Sequence, residues 1–202
     1  MFSKYDVYVE TNSKYCYPET DVLRNKLNIH DGNALKQAET DIVSVKQNYL
    51  LTHPIAGYFT PNHICRIHKF LFSDVYRFAG HYRTETIKKG KTTFLSEKDI
   101  SCRMKVLLAE LKKERYLTKL SYDDFIQRLA YYFSELNYIH PFREGNGRAT
   151  REFIRELVQY NGYTVIWRKI EIDVLLDAMI ASVFDTTALV KVLKICVTRF
   201  EE

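Results

Sequence analysis

Residues 140–151, HPFREGNGRATR, constrain this chain more than any other stretch: a histidine, a carboxylate, an asparagine between two glycines and spaced arginines answer no need of packing. Both flanks are helix-periodic. Before the stretch, Ser121 can cap a helix, Asp124 follows three residues later as in a capping box, and Phe125, Leu129, Phe133 and Leu136 recur at helical spacing. Pro141 disfavours the right-handed helical conformation at His140, so a helix over 121–139 has to stop there and leave the imidazole on the following turn. After the turn, Phe153, Ile154, Leu157 and Val158 form a second stripe, and Asn161 with Gly162 supplies a left-handed stop.

The loop between the two helices has the makings of a phosphate cradle. Arg148 and Arg151 are three apart, hence neighbours on the first turn of the second helix, where unpaired N–H groups and the helix dipole already favour an anion. Gly145 and Gly147 permit positive φ and close approach of the backbone to a ligand, which suits an anion nest. Glu144 is a hard oxygen ligand placed to share Mg²⁺ with phosphates, and His140 is the natural general base at neutral pH. Phe142 is expected to plug into the core. The competing structural reading is that Asn146-Gly147 signals a hairpin turn and His140 merely caps a helix. Helical rather than alternating flanks disfavour the hairpin, and the arginines at three-residue spacing have no structural task.

Taken together, HPFREGNGRATR resembles the signature of Fic-domain enzymes, HPFx(D/E)GNGRxxR, at His140, Pro141, Phe142, Glu144, Gly145, Asn146, Gly147, Arg148 and Arg151. The resemblance implies a mainly α Fic fold, a helical bundle around the helix pair that brackets the loop, with one β-hairpin. It also implies transfer of AMP from ATP to a Tyr, Ser or Thr hydroxyl of a target protein. His140 would take the hydroxyl proton and Glu144 would hold Mg²⁺. Asn146 and the amides of Gly145 and Gly147 would grip the α-phosphate region, while Arg148 and Arg151 steady the outer phosphates. A Doc-type kinase, which transfers the γ-phosphate on the same scaffold, carries lysine where this chain has Gly147. A nucleotide-dependent binding module without turnover is the reading from another class.

Two further stretches extend the resemblance. YCYPETDVLRNKLNIHD looks like the opening of stand-alone Fic toxins, and DVYRFAGHYRT, residues 74–84, resembles the lead into the active-site flap. In residues 83–94, RTETIKKGKTTF, threonines, Ile87 and Phe94 favour extended structure and Lys89-Gly90 a turn, so a two-stranded ribbon is expected. The resemblance makes Thr86, Ile87, Lys88, Lys89 and Gly90 a flap that docks the target's main chain. Many Fic enzymes carry an inhibitory (S/T)xxxE(G/N) helix. Here the one Glu followed by Gly or Asn is Glu144 itself, with His140 four residues earlier. Either the enzyme is constitutively active or a small antitoxin supplies that glutamate in trans; the resemblance to stand-alone Fic toxins favours the second, and analogy suggests a topoisomerase ATPase subunit as target.

Composition adds bounds. A chain of 202 residues with 46% hydrophobic content suits a single domain, 1–202, with residues 1–33 as an arm draped over the body. A net charge of +5 is too modest to argue for nucleic acid, even with Lys88, Lys89 and Lys91 on the flap. Cys16, Cys65, Cys102 and Cys196 are too scattered for zinc and read as free thiols of a cytoplasmic protein, and no run of 18 apolar residues suggests a membrane span. The arm is expected to hold a short helical piece over 20–27. A helix over 34–51 should bury Leu35, Ile42, Val45 and Tyr49. Thr60-Pro61 should open a helix to Phe72, and His63 and His68, five apart and so on different faces, read as surface or cap residues rather than a metal pair. Ser96 and Asp99 form a capping box for a helix to about Arg115 that buries Met104, Leu107, Leu108 and Leu111. The last two helices are placed over 171–183 and 187–200, and Tyr163 and Trp167 are candidates to line an adenine pocket, though core packing is the commoner use of such aromatics.

Overall fold

The computed structural model describes residues 13–89 and 92–199. Seven α-helices and two small antiparallel ribbons appear among them, in agreement with the mainly helical expectation. The helices are α1 (Gly32–Leu50), α2 (Pro61–Phe72), α3 (Ile100–Lys113), α4 (Tyr122–Ile139), α5 (Asn146–Tyr160), α6 (Ile172–Ala181) and α7 (Thr187–Cys196). Strands β1 (Lys88–Lys89) and β2 (Thr92–Thr93) pair, as do β3 (Tyr163–Val165) and β4 (Val197–Arg199). The centre is α4 beside α5, with α2 packed on α5, and α3 and α7 packed on α4. That order keeps the loop between α4 and α5 at the middle of the molecule.

Local chemistry sets the ends of the central helices. Ser121 accepts from the Asp124 amide at 3.2 Å, closing the expected cap of α4. Phe125, Leu129, Phe133 and Leu136 are all buried, and the helix stops at His140, whose φ of 46° is left-handed. Thr60 caps α2, and Pro61 occupies its first turn, where a missing N–H costs nothing. Gly162, at φ 79°, follows the end of α5 as the spacing predicts.

Four expectations are corrected. Residues 20–27 form no helix, because the Asn25 carboxamide takes the amides of Leu27 (3.1 Å) and Ile29 (3.0 Å), a local competition that short polar side chains win. On α1 the buried residues are Leu35, Glu39, Val43 and Leu50, whereas Val45 is 70% exposed. The true stripe runs through a glutamate that finds partners inside. Ser96 and Asp99 form a turn rather than a capping box: Asp99 N donates to Ser96 O, and α3 starts one residue later without a side-chain cap. Finally, α7 ends at Cys196 and the chain turns extended, with Thr164 opposite Thr198; β-branched residues on both strands favour this ribbon. Phe200, the expected end of that helix, lies outside the described residues.

His63 and His68 are also buried, not surface residues. His63 Nε2 meets Glu156 Oε2 at 2.9 Å and the Ile55 carbonyl at 2.8 Å, fastening the loop before α2 to α5. His68 Nε2 donates to the Glu144 carbonyl and its Nδ1 accepts from Gly80 N, both at 2.8 Å, while its ring stacks on Phe142 at 3.8 Å. This pattern requires the neutral ring, and burial holds its pKa down at about 3. An unfolded histidine titrates near about 6.5, so the unfolded state binds the extra proton between the two values. The stabilisation is therefore complete above the unfolded value and is lost as pH falls below it. Urea denaturation between pH 7 and pH 5 should show a decline of up to about 1.4 kcal/mol per pH unit, shallower in His68→Gln.

Candidate active site

The loop between α4 and α5 is held from below by Phe142 and Asn146. Phe142 is fully buried. Asn146 is 3% exposed; its Oδ1 accepts from Phe142 N at 2.8 Å and its Nδ2 donates to Phe142 O at 2.7 Å. Its carboxamide thus braces the loop, which leaves backbone N–H groups as the loop's donors to a ligand. Gly145 has φ 79°, and a Cβ there would lie 2.3 Å from the Phe72 ring. Gly147, by contrast, is helical rather than positive in φ; its missing Cβ, 3.2 Å from Arg151 Nη1, leaves room for that guanidinium over the first turn of α5.

His140 is oriented from two sides. A carbonyl only accepts, so the 3.1 Å contact from Nδ1 to Asn137 O puts a proton on Nδ1 and the lone pair on Nε2. Phe94 stacks on the ring at 3.8 Å between centroids. Behind it Arg83, 2% exposed, donates Nε to His140 O and Nη1 to Glu85 O, both at 2.8 Å, and Nη2 to Leu95 O and Ile139 O. One guanidinium therefore ties both roots of the β1–β2 ribbon to the helix end that carries the imidazole. In the ribbon, Thr86 donates to Glu97 Oε2, Ile87 is buried, and Lys88 is exposed. Lys89 contributes backbone pairing to Thr92, while Gly90 and Lys91 lie outside the described residues. Each strand has one partner among the described residues, so one edge is open there.

The two motif arginines differ. Arg148 Nη2 meets Glu39 Oε1 at 2.5 Å and Glu144 Oε1 at 3.4 Å. Burial opposes its charge, and these carboxylates outweigh burial and hold the guanidinium above its ordinary pKa. Arg151 makes no hydrogen bond or ion pair among the described residues. Enclosure and the charge of Arg148 pull it down to about 10, so at neutral pH it remains a cation in search of an anion. Glu144 Oε1 accepts from Gly145 N at 2.8 Å.

These groups share one cavity of about 440 Å³, lined by His140, Glu144, Gly145, Asn146, Gly147, Arg148 and Arg151. Its opposite wall is apolar, from Phe133 on α4 and Leu175, Leu176, Met179 and Ile180 on or beside α6. Trp167 and Tyr163 do not line it; they pack on Phe133 and Phe125. The α6 wall had no sequence signal beyond periodicity, and Glu39 and Tyr76, also on the lining, had none at all.

The helix pair thus presents an imidazole, a carboxylate and two arginines to one cavity, the grouping that the Fic signature leads one to expect. Residues 58–158 match the Fic/DOC family, and the chain belongs to it. The protein adenylyltransferase VbhT of Bartonella schoenbuchensis is 37% identical over 186 residues, which is 92% of this chain but 39% of VbhT. The probable protein adenylyltransferase Fic of Salmonella typhimurium is 33% identical over 168 residues, 83% of each chain. Among solved structures, the BepC protein of Bartonella tribocorum with bound AMPPNP superposes with a TM-score of 0.84 at 25% identity, covering 93% of this chain and 97% of that one.

Proposed function

We propose that this chain transfers AMP from ATP to a hydroxyl side chain of a target protein. The observation that carries the reading is the single cavity on which His140, Glu144, Arg148 and Arg151 converge. The target oxygen attacks the α-phosphorus, its proton passes to His140 Nε2, and the bond to pyrophosphate breaks. Arg151 and the amides at the start of α5 receive phosphate oxygens, Arg148 adds a second cation, and the α6 wall suits the base. Glu144 fits Mg²⁺, since one carboxylate beside a polyphosphate site matches that ion's habits, and no cluster of three protein ligands occurs among the described residues. Bound there, the ion would neutralise phosphate charge. The β1–β2 ribbon would dock the target's main chain on its open edge.

Incubation with ATP labelled at the α- or the γ-phosphate tests the reading in a bacterial lysate. Label on protein from the α position alone is the expected result, and label from γ alone would make the chain a kinase. Glu144→Gln keeps size and hydrogen bonding but removes the charge, so excess Mg²⁺ should relieve its defect in part. Arg151→Ala should show no such relief, as its loss misplaces the phosphates.

Regulation follows from the unpaired state of Arg151, whose guanidinium lines the cavity without an anion of its own among the described residues. We further propose a small partner in the cytoplasm whose glutamate occupies Arg151, with a topoisomerase ATPase subunit as target. Expression alone should slow growth, and co-expression of a small partner that carries such a glutamate should restore it. Inactivity of the purified chain with ATP, Mg²⁺ and lysate would remove the need for such a partner.

A further inference from the structure

Glu39 stands out because a glutamate 7% exposed on the apolar face of α1 has to be compensated, and both of its oxygens are. Tyr76, 2% exposed and stacked on Phe78 at 4.7 Å, donates its hydroxyl to Oε2. Burial and the Glu39 charge raise this phenol's pKa, so it stays a neutral donor. Oε1 faces Arg148 Nη2 at 2.5 Å. The Arg148 guanidinium also lies over the Phe72 ring, 4.7 Å from its centroid. Two elements therefore meet on the Arg148 side chain, α1 through Glu39 and α2 through Phe72, and Tyr76 from the segment after α2 holds Glu39 from behind.

We propose that Glu39 is a positioning residue for Arg148, with Tyr76 fixing Glu39 in turn. An arginine side chain has several rotatable bonds, and ordering it on substrate binding costs free energy that a preset guanidinium avoids. The Glu39 contact engages Nη2 alone, Nε and Nη1 make no hydrogen bond among the described residues, and Arg148 lines the cavity. Glu144, at 3.4 Å, is too distant to set the guanidinium by itself. Arg148 is thus clamped and Arg151 open, which divides the pair into a fixed cation and a receptive one. This inference rests on reading the cavity as a phosphate site.

The test compares Glu39→Ala, Glu39→Gln and Tyr76→Phe by kcat and KM for ATP in α-label transfer, by thermal midpoint, and by the ¹H–¹⁵N signal of Arg148 Nε. Glu39→Ala should lower kcat by about 10²-fold with KM for ATP within about threefold, the mark of misplacement rather than lost binding. Glu39→Gln can still accept from Arg148 through its amide oxygen and, with its NH2 turned to Tyr76, donate to the phenol oxygen, so it should restore kcat to within about tenfold of the parent. The Nε signal should be sharp in the parent and the Gln variant and averaged away in the Ala variant. An Ala variant with parental kcat overturns the proposal, as does a Gln variant as slow as Ala, which would assign the effect to charge. A rise in KM that tracks the thermal midpoint would make Glu39 merely structural. If Glu39→Ala does not fold, Tyr76→Phe takes its place, with a smaller loss of kcat in the same pattern expected. If the parent transfers no label, the functional reading has failed, and the Nε signal still decides whether Glu39 holds Arg148.

Discussion

Replacing His140 by alanine should lower adenylyl transfer by about 10²- to 10⁴-fold while ATP still binds, the usual worth of a general base. The geometry is specific about which nitrogen is lost. Nδ1 is committed to the Asn137 carbonyl, so Nε2 carries the lone pair on the ring that lines the cavity. Because His140 sits at φ 46°, an alanine there also meets backbone strain that could be mistaken for a catalytic effect. His140→Asn separates the two, since asparagine tolerates the left-handed region. Asn and Ala variants should be equally slow, with the Asn variant melting higher, and nucleotide titration should give parental affinity for both. Loss of ATP affinity in both variants would make the imidazole a structural element.

What was legible in the sequence was local. Capping at Ser121 and Thr60, the break at His140 and the stop at Gly162 are decided within a few residues, and each stands where the chain chemistry places it. The motif's own spacing put His140, Glu144, Arg148 and Arg151 on one cavity. What escaped was polar burial settled by distant partners. Glu39 looks like a solvent-facing residue until Arg148 and Tyr76 close on it, and its burial is what shifted the α1 face from Val45 to Val43. His63 and His68, five apart, were expected outside because they cannot share one helix face. In fact α2 is covered on several sides, by α1, α3 and α5, so different faces are both interior. Arg83 likewise gave no local sign that four carbonyls would gather around it.

Gly145→Ala should be the most damaging single-methyl change in the site, because two independent penalties coincide there. The residue holds φ 79°, a conformation that costs an L-residue about 1–2 kcal/mol. The new Cβ would also lie 2.3 Å from Phe72 Cζ and 2.4 Å from its Cε2, which is ring, not the yielding end of a flexible chain. Overpacking of this kind adds about 1–3 kcal/mol. The ring cannot retreat freely, since Phe72 is fully buried beside His68 and under the Arg148 guanidinium. Relief must come from the loop, which would lift from the His68 hydrogen bond to Glu144 O and carry Glu144 and the first amides of α5 with it. The expected result is a lower thermal midpoint together with loss of measurable nucleotide binding and transfer. A second substitution tells the two penalties apart. Phe72→Leu opens space at the ring, so in a double-mutant cycle it should recover the packing share of the Gly145→Ala loss and leave the backbone share. Nucleotide affinity should return with the packing share, because the loop can then settle back onto His68. A cycle with no coupling would mean that the Gly145 approach to Phe72 does not set the height of the loop, and that the strain at φ 79° alone accounts for the glycine.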